Sequence, residues 1–245
     1  MSAAEAAQAL ELTDHPDWAQ RFWDELVPLK DRLVEHPVFR GMADGGLTPE
    51  VFRRTLLNFY PLVANFPAYM ALNLSRTTEL TGPGVLETRN WLIHNIKVEE
   101  RHLFWYRDWC KGLGITDAEL DDVRPPAAMD AVNHYLWWIN RHGTLAEAVA
   151  ATNLAIEWPT GEWTQAAVRG MKRYQQRGVL EVNRRTMAWL RAHAHYDDAH
   201  PEEAMELIKR LCTDEESRQR AWRAAQRGME YYLLAARDAY EPITL

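Results

Sequence analysis

The sequence predicts an all-α protein, a single-domain helical bundle of about seven helices spanning residues 1–245. The strand signal is missing, because no stretch sustains the alternation of apolar and polar residues that a half-buried strand requires. Helix-start signals and helical spacing of apolar residues recur along the chain instead. No linker, repeat or low-complexity block divides it. Residues 1–30 are expected to hold a peripheral N-terminal helix.

The first long helix is predicted from a capping signal. Thr48 is a good cap, and Pro49 suits the first helical position because its missing N–H would have no partner there. An apolar-rich run follows through Leu74. Pro61 and Pro67 lie within that run, and we expect them to kink or interrupt the helix.

Four further helices are predicted from caps, helical runs and stop residues. They are Pro83 to Lys111, Thr144 to Pro159, Val179 to His195 and Thr213 to Tyr240. Thr144 with Glu147, and Thr213 with Glu216, have the spacing of capping boxes. Glycines near the ends of the helices, such as Gly178, are natural stops.

Composition limits the class of protein. Hydrophobic residues make up 47% of the chain, enough for a sizeable core. The formal net charge of −7 argues against nucleic acid or an anionic membrane as partner. The two cysteines lie far apart, as expected in a reducing cytosol. The sequence shows neither a secretory signal nor an apolar run of the roughly 18 residues that a membrane span needs. We therefore expect a soluble, cytoplasmic protein.

Polar residues form a stripe on the second long helix. Trp91, Asn95, Glu99, His102 and Tyr106 follow one another at steps of three or four, so they share one face. Glu99 and His102 can therefore reach one metal ion or two neighbouring ions. A dimetal site in a helical bundle usually has such carboxylate-x-x-His units on two helices, with further carboxylates from others.

A second unit lies about a hundred residues later. His193, Asp197 and His200 are spaced i, i+4 and i+7, so on a helix they converge on one point. Glu157 lies in an otherwise apolar turn, where a lone charge is costly. Imidazole and carboxylate together suit iron, manganese or zinc. With Glu99 and His102 on the first helix, six candidate metal ligands result.

Each element also has an ordinary structural interpretation. Glu99 and His102 have the spacing of a surface ion pair. Asp197 is placed to cap a helix that starts near Pro201, and proline disfavours helical geometry at the residue before it. Glu157 could pair with an arginine. The metal interpretation depends on all of these residues meeting.

The order of several motifs resembles haem-oxygenase-like proteins. These motifs are His36-Pro-Val-Phe, Asn58 to Tyr69, Glu99 with His102, and Trp109 to Ile115. More narrowly, one set of five residues resembles the haem-oxygenase-like dimetal oxidases, within the wider superfamily that includes thiaminases and quinone-cofactor-forming enzymes. That set is His102, Glu157, His193, Asp197 and His200. The resemblance implies a haem-oxygenase-like fold, two non-haem iron ions, dioxygen as co-substrate and a homodimer.

One position departs from the family pattern. Several relatives place a glutamate seven residues before the first ligand histidine, where this chain has Asn95. Glu99 lies one helical turn closer and has the Glu-x-x-His spacing of other relatives. We therefore expect Glu99 to be the ligand and Asn95 to support it.

The resemblance implies an oxygen-activating enzyme acting on a small amino-acid-derived metabolite, by N-oxygenation or by oxidative C–C cleavage or decarboxylation. Tyr60 and Trp158 are further candidates beside the reacting centre. Five arginines could hold a substrate carboxylate: Arg54, Arg76, Arg101, Arg141 and Arg169. The alternatives are a metal-free thiaminase-like or quinone-forming enzyme, with Cys110 or Cys212 as nucleophile in the thiaminase case, and a non-catalytic binder of haem or another small ligand through His36 or His94.

Overall fold

The computed structural model describes residues 10–195 and 200–242, where all regular structure is helical. The helices are α1 (Asp17–Val34), α2 (Pro37–Asp44), α3 (Pro49–Arg76), α4 (Val85–Gly112), α5 (Asp117–Asp121), α6 (Ala127–His142), α7 (Leu145–Val149), a π-helical segment (Ala150–Glu157), α8 (Trp158–Gln176), α9 (Ala188–His195), α10 (His200–Leu211) and α11 (Glu215–Tyr240).

The all-α prediction is confirmed. Because α7, the π segment and α8 follow one another without a break, the described residues form ten helices. The number exceeds the predicted seven because three of them, α2, α5 and α9, are pieces of eight residues or fewer. Two of these pieces have their own side-chain caps, from His36 for α2 and from Thr116 for α5.

Helix α3 begins at the predicted cap, where the Thr48 hydroxyl accepts a hydrogen bond from the Val51 N–H at 3.3 Å. It continues through Pro61 and Pro67 to Arg76, so of the predicted kink or interruption the interruption is wrong. Each proline removes one backbone hydrogen bond. The buried face of the helix is packed into the core on both sides of the prolines, and this packing stabilises the helix where the bonds are missing.

The helix predicted from residue 179 begins only at Ala188. Gly178 ends α8 with a positive φ of 68°, as predicted. The Asn183 side chain then accepts hydrogen bonds from the N–H groups of Arg185 and Thr186, at 2.8 and 3.0 Å. These local bonds offer the backbone an alternative to a helix, which explains the delayed start.

Helix α11 has a capping box one residue later than predicted. The sequence suggested Thr213 and Glu216, whereas Asp214 accepts from the Ser217 N–H at 2.7 Å and Ser217 accepts from the Asp214 N–H at 3.2 Å. The helix ends at Tyr240, as expected.

The core lies between the long helices. Helix α1 contributes Phe22, Leu26 and Leu33 to it. Helices α2 and α8 lie close together at Gly170, where an added Cβ would lie only 2.0 Å from the Met42 carbonyl oxygen. None of the helices in residues 10–195 and 200–242 is long and apolar enough to cross a membrane.

The π-helical segment has no counterpart in the sequence predictions. It follows the predicted capping box of Thr144 and Glu147 and ends at Glu157. All eight of its residues are buried. Helix α11 packs against it at Gly228, where an added Cβ would lie 2.8 Å from the Ala151 carbonyl oxygen. Short π-helical stretches are rare and frequently mark functional sites.

A buried ion-pair cluster ties α10 to the start of the described chain. Glu206 is only 2% exposed, and its carboxylate accepts from the Thr13 N–H and hydroxyl at 3.0 and 2.9 Å. Lys209 Nζ lies 2.6 Å and Arg210 Nε 2.8 Å from its oxygens. Burial opposes ionisation, but these partners outweigh it and lower the pKa of Glu206 to about 2.

We expect Glu206→Gln to lower the free energy of unfolding by about 2 kcal/mol at pH 7. The folded pKa lies below the ordinary value of 4.5, so the carboxylate contributes fully above about pH 4.5 and loses its contribution as the pH falls towards 2. Urea unfolding across this pH range measures the difference in the free energy of unfolding between the variant and the wild type. The exposed Glu100→Gln is the control. A difference between Glu206→Gln and the wild type that stays constant down to pH 2 would contradict the assignment.

Candidate metal centre

The stripe predicted on α4 faces the interior. All five of its residues are at most 6% exposed: Trp91, Asn95, Glu99, His102 and Tyr106. A carboxylate and an imidazole this deeply buried need partners. The imidazole Nδ1 of His102 lies 3.2 Å from Oε2 of Glu99.

Five of the six predicted ligands come together in space. Glu99, His102 and His193 offer ligand atoms that all lie within 4.8 Å of one another, and Glu99, Glu157 and His200 do the same. Glu99 belongs to both groups. This donor set, two imidazole-carboxylate groups sharing one carboxylate, fits a pair of iron-like ions. Asp197, the sixth predicted ligand, lies outside the described residues.

His193 is oriented by its own helix. Its Nδ1 lies 2.9 Å from the backbone carbonyl oxygen of Trp189, one turn earlier. A carbonyl oxygen only accepts hydrogen bonds, so Nδ1 carries the proton, and Nε2 is the ring atom that would bind a metal. The Trp189 ring lies against the imidazole, with centroids 3.9 Å apart. This backbone contact is the usual way in which a ligand histidine is held.

Glu157 is held from two sides. Asn153 donates from Nδ2 to Oε1 at 2.7 Å, and His200 Nδ1 lies 2.8 Å from Oε2. Asn153 lies four residues before Glu157 in the π segment and is fully buried. Asn153 is not among the site residues predicted from the sequence, although its i, i+4 spacing to Glu157 is a usable signal.

The electrostatics of the centre favour a carboxylate. Burial alone raises the pKa of Glu99, but the positive charge that His102, His193 and His200 carry when protonated, together with the hydrogen bond from His102, outweighs burial. The pKa of Glu99 therefore lies below its ordinary value. A carboxylate has to be deprotonated to bind a metal, and this environment keeps it so.

A mainly apolar cavity of about 50 Å³ adjoins the centre. Its polar lining includes Glu99, Glu157 and His193, and aromatic walls come from Trp163 and Trp189. The remaining lining residues are Phe39, Met42, Thr55, Leu56, Phe59, Leu62, Val63, Phe66, Tyr106, Ile156, Thr160 and Tyr232. The described lining contains neither lysine nor arginine.

The candidate arginine clamps lie elsewhere. Arg54 donates to the carbonyl oxygens of Ala239 and Tyr240, and Arg76 donates to the carbonyl oxygen of Asn140 at 3.2 Å. The other three, Arg101, Arg141 and Arg169, are likewise absent from the described lining. Among the described residues that line the cavity, none offers a cationic lysine or arginine side chain.

The three further predicted site residues have different positions. Asn95 lies one turn before Glu99, is buried and donates from Nδ2 to the Trp91 carbonyl at 3.1 Å. Tyr60 is not in the cavity lining, and its hydroxyl accepts from Arg107 at 2.6 Å.

Trp158 is also absent from the lining. Its Nε1 donates to Glu162 at 3.0 Å, and its ring lies against Trp23 at 3.9 Å. The aromatic walls beside the centre are Trp163 and Trp189 instead.

Neither cysteine is suited to act as a nucleophile. Cys110 and Cys212 are both buried. Burial raises the pKa of the Cys212 thiol to about 11 and that of Cys110 further, so neither forms a thiolate near neutral pH. His36 caps α2, accepting from the Val38 N–H at 3.3 Å, and His94 is exposed. Neither histidine belongs to the described cavity lining, where an axial haem ligand would be needed.

The helical bundle and its cluster of buried histidines and carboxylates agree with the resemblance to haem-oxygenase-like proteins, and the family match confirms that resemblance. Residues 53–233 match the model of a family described as iron-containing redox enzymes. The chain belongs to this family.

Known proteins resemble this chain over most of its length. A TenA homologue from Pseudomonas syringae pv. tomato shares 32% identity, with a TM-score of 0.85 over 94% of this chain and 98% of that one. A Shewanella denitrificans domain with a haem oxygenase-like fold has a TM-score of 0.74 at 16% identity, covering 91% of each chain. The 4-aminobenzoate synthase of Chlamydia muridarum is 24% identical over 217 residues, 80% of this chain and 81% of the relative.

Proposed function

We propose that this protein is a non-haem di-iron oxidase or oxygenase that activates dioxygen. The observation that carries the proposal is Glu99, a buried carboxylate shared by two groups of potential ligands beside an apolar cavity. His102 and His193 would hold one iron with Glu99, and Glu157 and His200 the other. Two iron ions there would supply the binding and reduction of dioxygen.

The protein's own residues would prepare the centre. The Trp189 carbonyl orients His193, and Asn153 orients Glu157, so the donor atoms need little rearrangement to bind. Apolar walls that exclude bulk water would strengthen electrostatic interactions in the site.

We propose a small amino-acid-derived metabolite as substrate, with N-oxygenation or oxidative C–C cleavage or decarboxylation as the reaction. Its apolar body would fill the cavity, and its polar end would face Glu99, Glu157 and His193, since the described lining offers no other charge. The name of the Chlamydia relative refers to 4-aminobenzoate, a small aromatic amine, which supports a substrate of this size.

Iron stoichiometry after anaerobic loading tests this function. We expect about two irons per chain, as in other bundle-core dimetal sites. His200→Ala removes a ligand from one group only, so about one iron should remain, whereas exposed His94→Ala should retain both. Oxygen consumption with a panel of small amines and carboxylic acids then identifies the substrate. A wild-type chain that binds no iron yet turns over substrate would exclude the di-iron proposal.

A further inference from the structure

A line of oxidisable aromatic rings leads from the candidate metal centre towards the edge of the protein. The His193 ring lies 3.9 Å from the Trp189 ring, Trp189 lies 5.1 Å from Tyr106, and Tyr106 lies 6.3 Å from Tyr60, measured between centroids. Trp109 stacks on Trp189 at 5.3 Å with an interplanar angle of 13°. Rings at such distances exchange electrons readily.

We propose that Trp189, Trp109, Tyr106 and Tyr60 form a one-electron relay that drains oxidising equivalents from the centre when the cavity holds no substrate. The relay rests on the proposed di-iron function. A centre that reduces dioxygen without substrate would otherwise oxidise its own ligands and walls.

The two stacked indoles are suited to pass on charge. The N–H groups of Trp109 and Trp189 are buried and have no hydrogen-bond partner among residues 10–195 and 200–242. Burying such a group without a partner is unfavourable. Trp163, by contrast, donates to the Tyr232 hydroxyl at 3.0 Å. An oxidised indole without an acceptor keeps its proton, stays strongly oxidising and passes the charge on.

The two tyrosines have different roles. The Tyr106 hydroxyl donates to the Leu56 carbonyl oxygen at 2.9 Å, and a carbonyl does not take up the proton of an oxidised phenol. Tyr106 therefore passes an electron from Tyr60 to Trp189 without itself remaining oxidised. Tyr60 is 8% exposed, and its oxygen accepts from Arg107. In the relay, its phenol proton leaves to water at this exposed edge. Arg107 also pairs with exposed Asp121 at 2.9 Å, which places Tyr60 next to the surface.

The electron balance is simple. Trp189 gives one electron to the oxidised centre and becomes a radical cation, shared with Trp109. Tyr60 returns one electron to it through Tyr106 and releases its phenol proton to water, leaving a neutral tyrosyl radical. An ascorbate-like reductant then gives Tyr60 one electron and one proton.

A photochemical experiment on the full chain tests the relay without iron. Both native cysteines are buried, so an exposed Arg191→Cys residue on α9 carries a ruthenium photosensitiser at one defined place. After a flash with an electron-accepting quencher, transient absorption should show a tryptophan radical decaying into a tyrosyl radical. Tyr60→Phe should lose the tyrosyl signal and prolong the tryptophan radical, and Tyr106→Phe should slow its decay.

Tyr135→Phe is the matched control, because this half-buried phenol also donates to a backbone carbonyl, that of Ala224 at 2.9 Å, but lies outside the relay. An unchanged tyrosyl signal in Tyr60→Phe would overturn the relay. Loss of the signal on Trp105→Phe instead would also overturn it, since Trp105 contacts His102 at 5.4 Å and offers another exit.

A second arm links the relay to the centre. Iron-loaded protein is exposed to oxygen and ascorbate without substrate, in the presence of a nitroso spin trap. Peptide mass spectrometry then locates the residue that the trap has labelled. We expect the trap on Tyr60, whereas a loaded chain labelled only at other residues would contradict the relay. A chain that takes up no iron would contradict the di-iron function, and the photochemical arm would still test the relay by itself.

Discussion

Glu99→Gln should abolish iron binding at both positions, whereas each other single ligand change should remove about one iron. The reason is that, among the ligands within the described residues, Glu99 alone belongs to both groups. A neutral amide has nearly the same shape but is a weak ligand for iron, so the substitution tests charge rather than packing. Metal analysis after anaerobic loading measures the result, and oxygen uptake should fall with it.

Glu100→Gln is the matched control for this change. It removes the same charge from the next residue of α4, but the side chain is exposed and faces away from the centre. Circular dichroism and thermal unfolding of the metal-free variants show whether both remain folded. Two irons retained in folded Glu99→Gln would exclude Glu99 as the shared ligand.

Gly170→Ala should destabilise the protein by about 3 kcal/mol, the upper end of what overpacking a well-packed core typically costs, because the clash is with backbone atoms. The new methyl group would lie 2.0 Å from the Met42 carbonyl oxygen and 2.5 Å from that of Ala43, and backbone atoms cannot move aside as a side-chain end can. Alanine is favoured over glycine inside a helix by about 1 kcal/mol, which is too little to offset the clash. Urea unfolding measures the decrease in the free energy of unfolding.

The exposed Gly46→Ala is the control, since nothing lies within 4 Å of the added methyl group and its backbone is not left-handed. Its stability should stay within about 0.5 kcal/mol of the wild type. Equal stability of Gly170→Ala and the wild type would mean that α2 and α8 are not packed backbone against backbone.

The sequence predicted helices best where local signals determine them. The Thr48 cap and the long α4 run follow from residues a few positions apart, and both are confirmed. The predictions failed where more distant packing or a competing local bond determines the structure. Helix α3 passes through Pro61 and Pro67 because its flanking residues are buried, and the Asn183 side chain delays α9.

The candidate site was predictable as a set of residue types, but its arrangement was not. Helical spacing placed Glu99 and His102 on one face, and five of the six expected ligands meet in the structure. Spacing alone does not reveal that Glu99 is shared, because this depends on how the π segment, α9 and α10 pack around α4. The orientations of the Tyr60 and Trp158 side chains likewise depend on partners from other helices, which are Arg107 and Trp23.

The π-helical segment makes the centre sensitive to the length of the chain as well as to its residues. In an ordinary α-helix each residue advances about 100° around the axis, so removing one residue between 150 and 157 would let a regular helix form. Either Glu157 or the capping residues before it would then turn away from their present partners. A family member that lacks one residue here could keep every ligand type in its sequence and still be unable to assemble the second half of the centre.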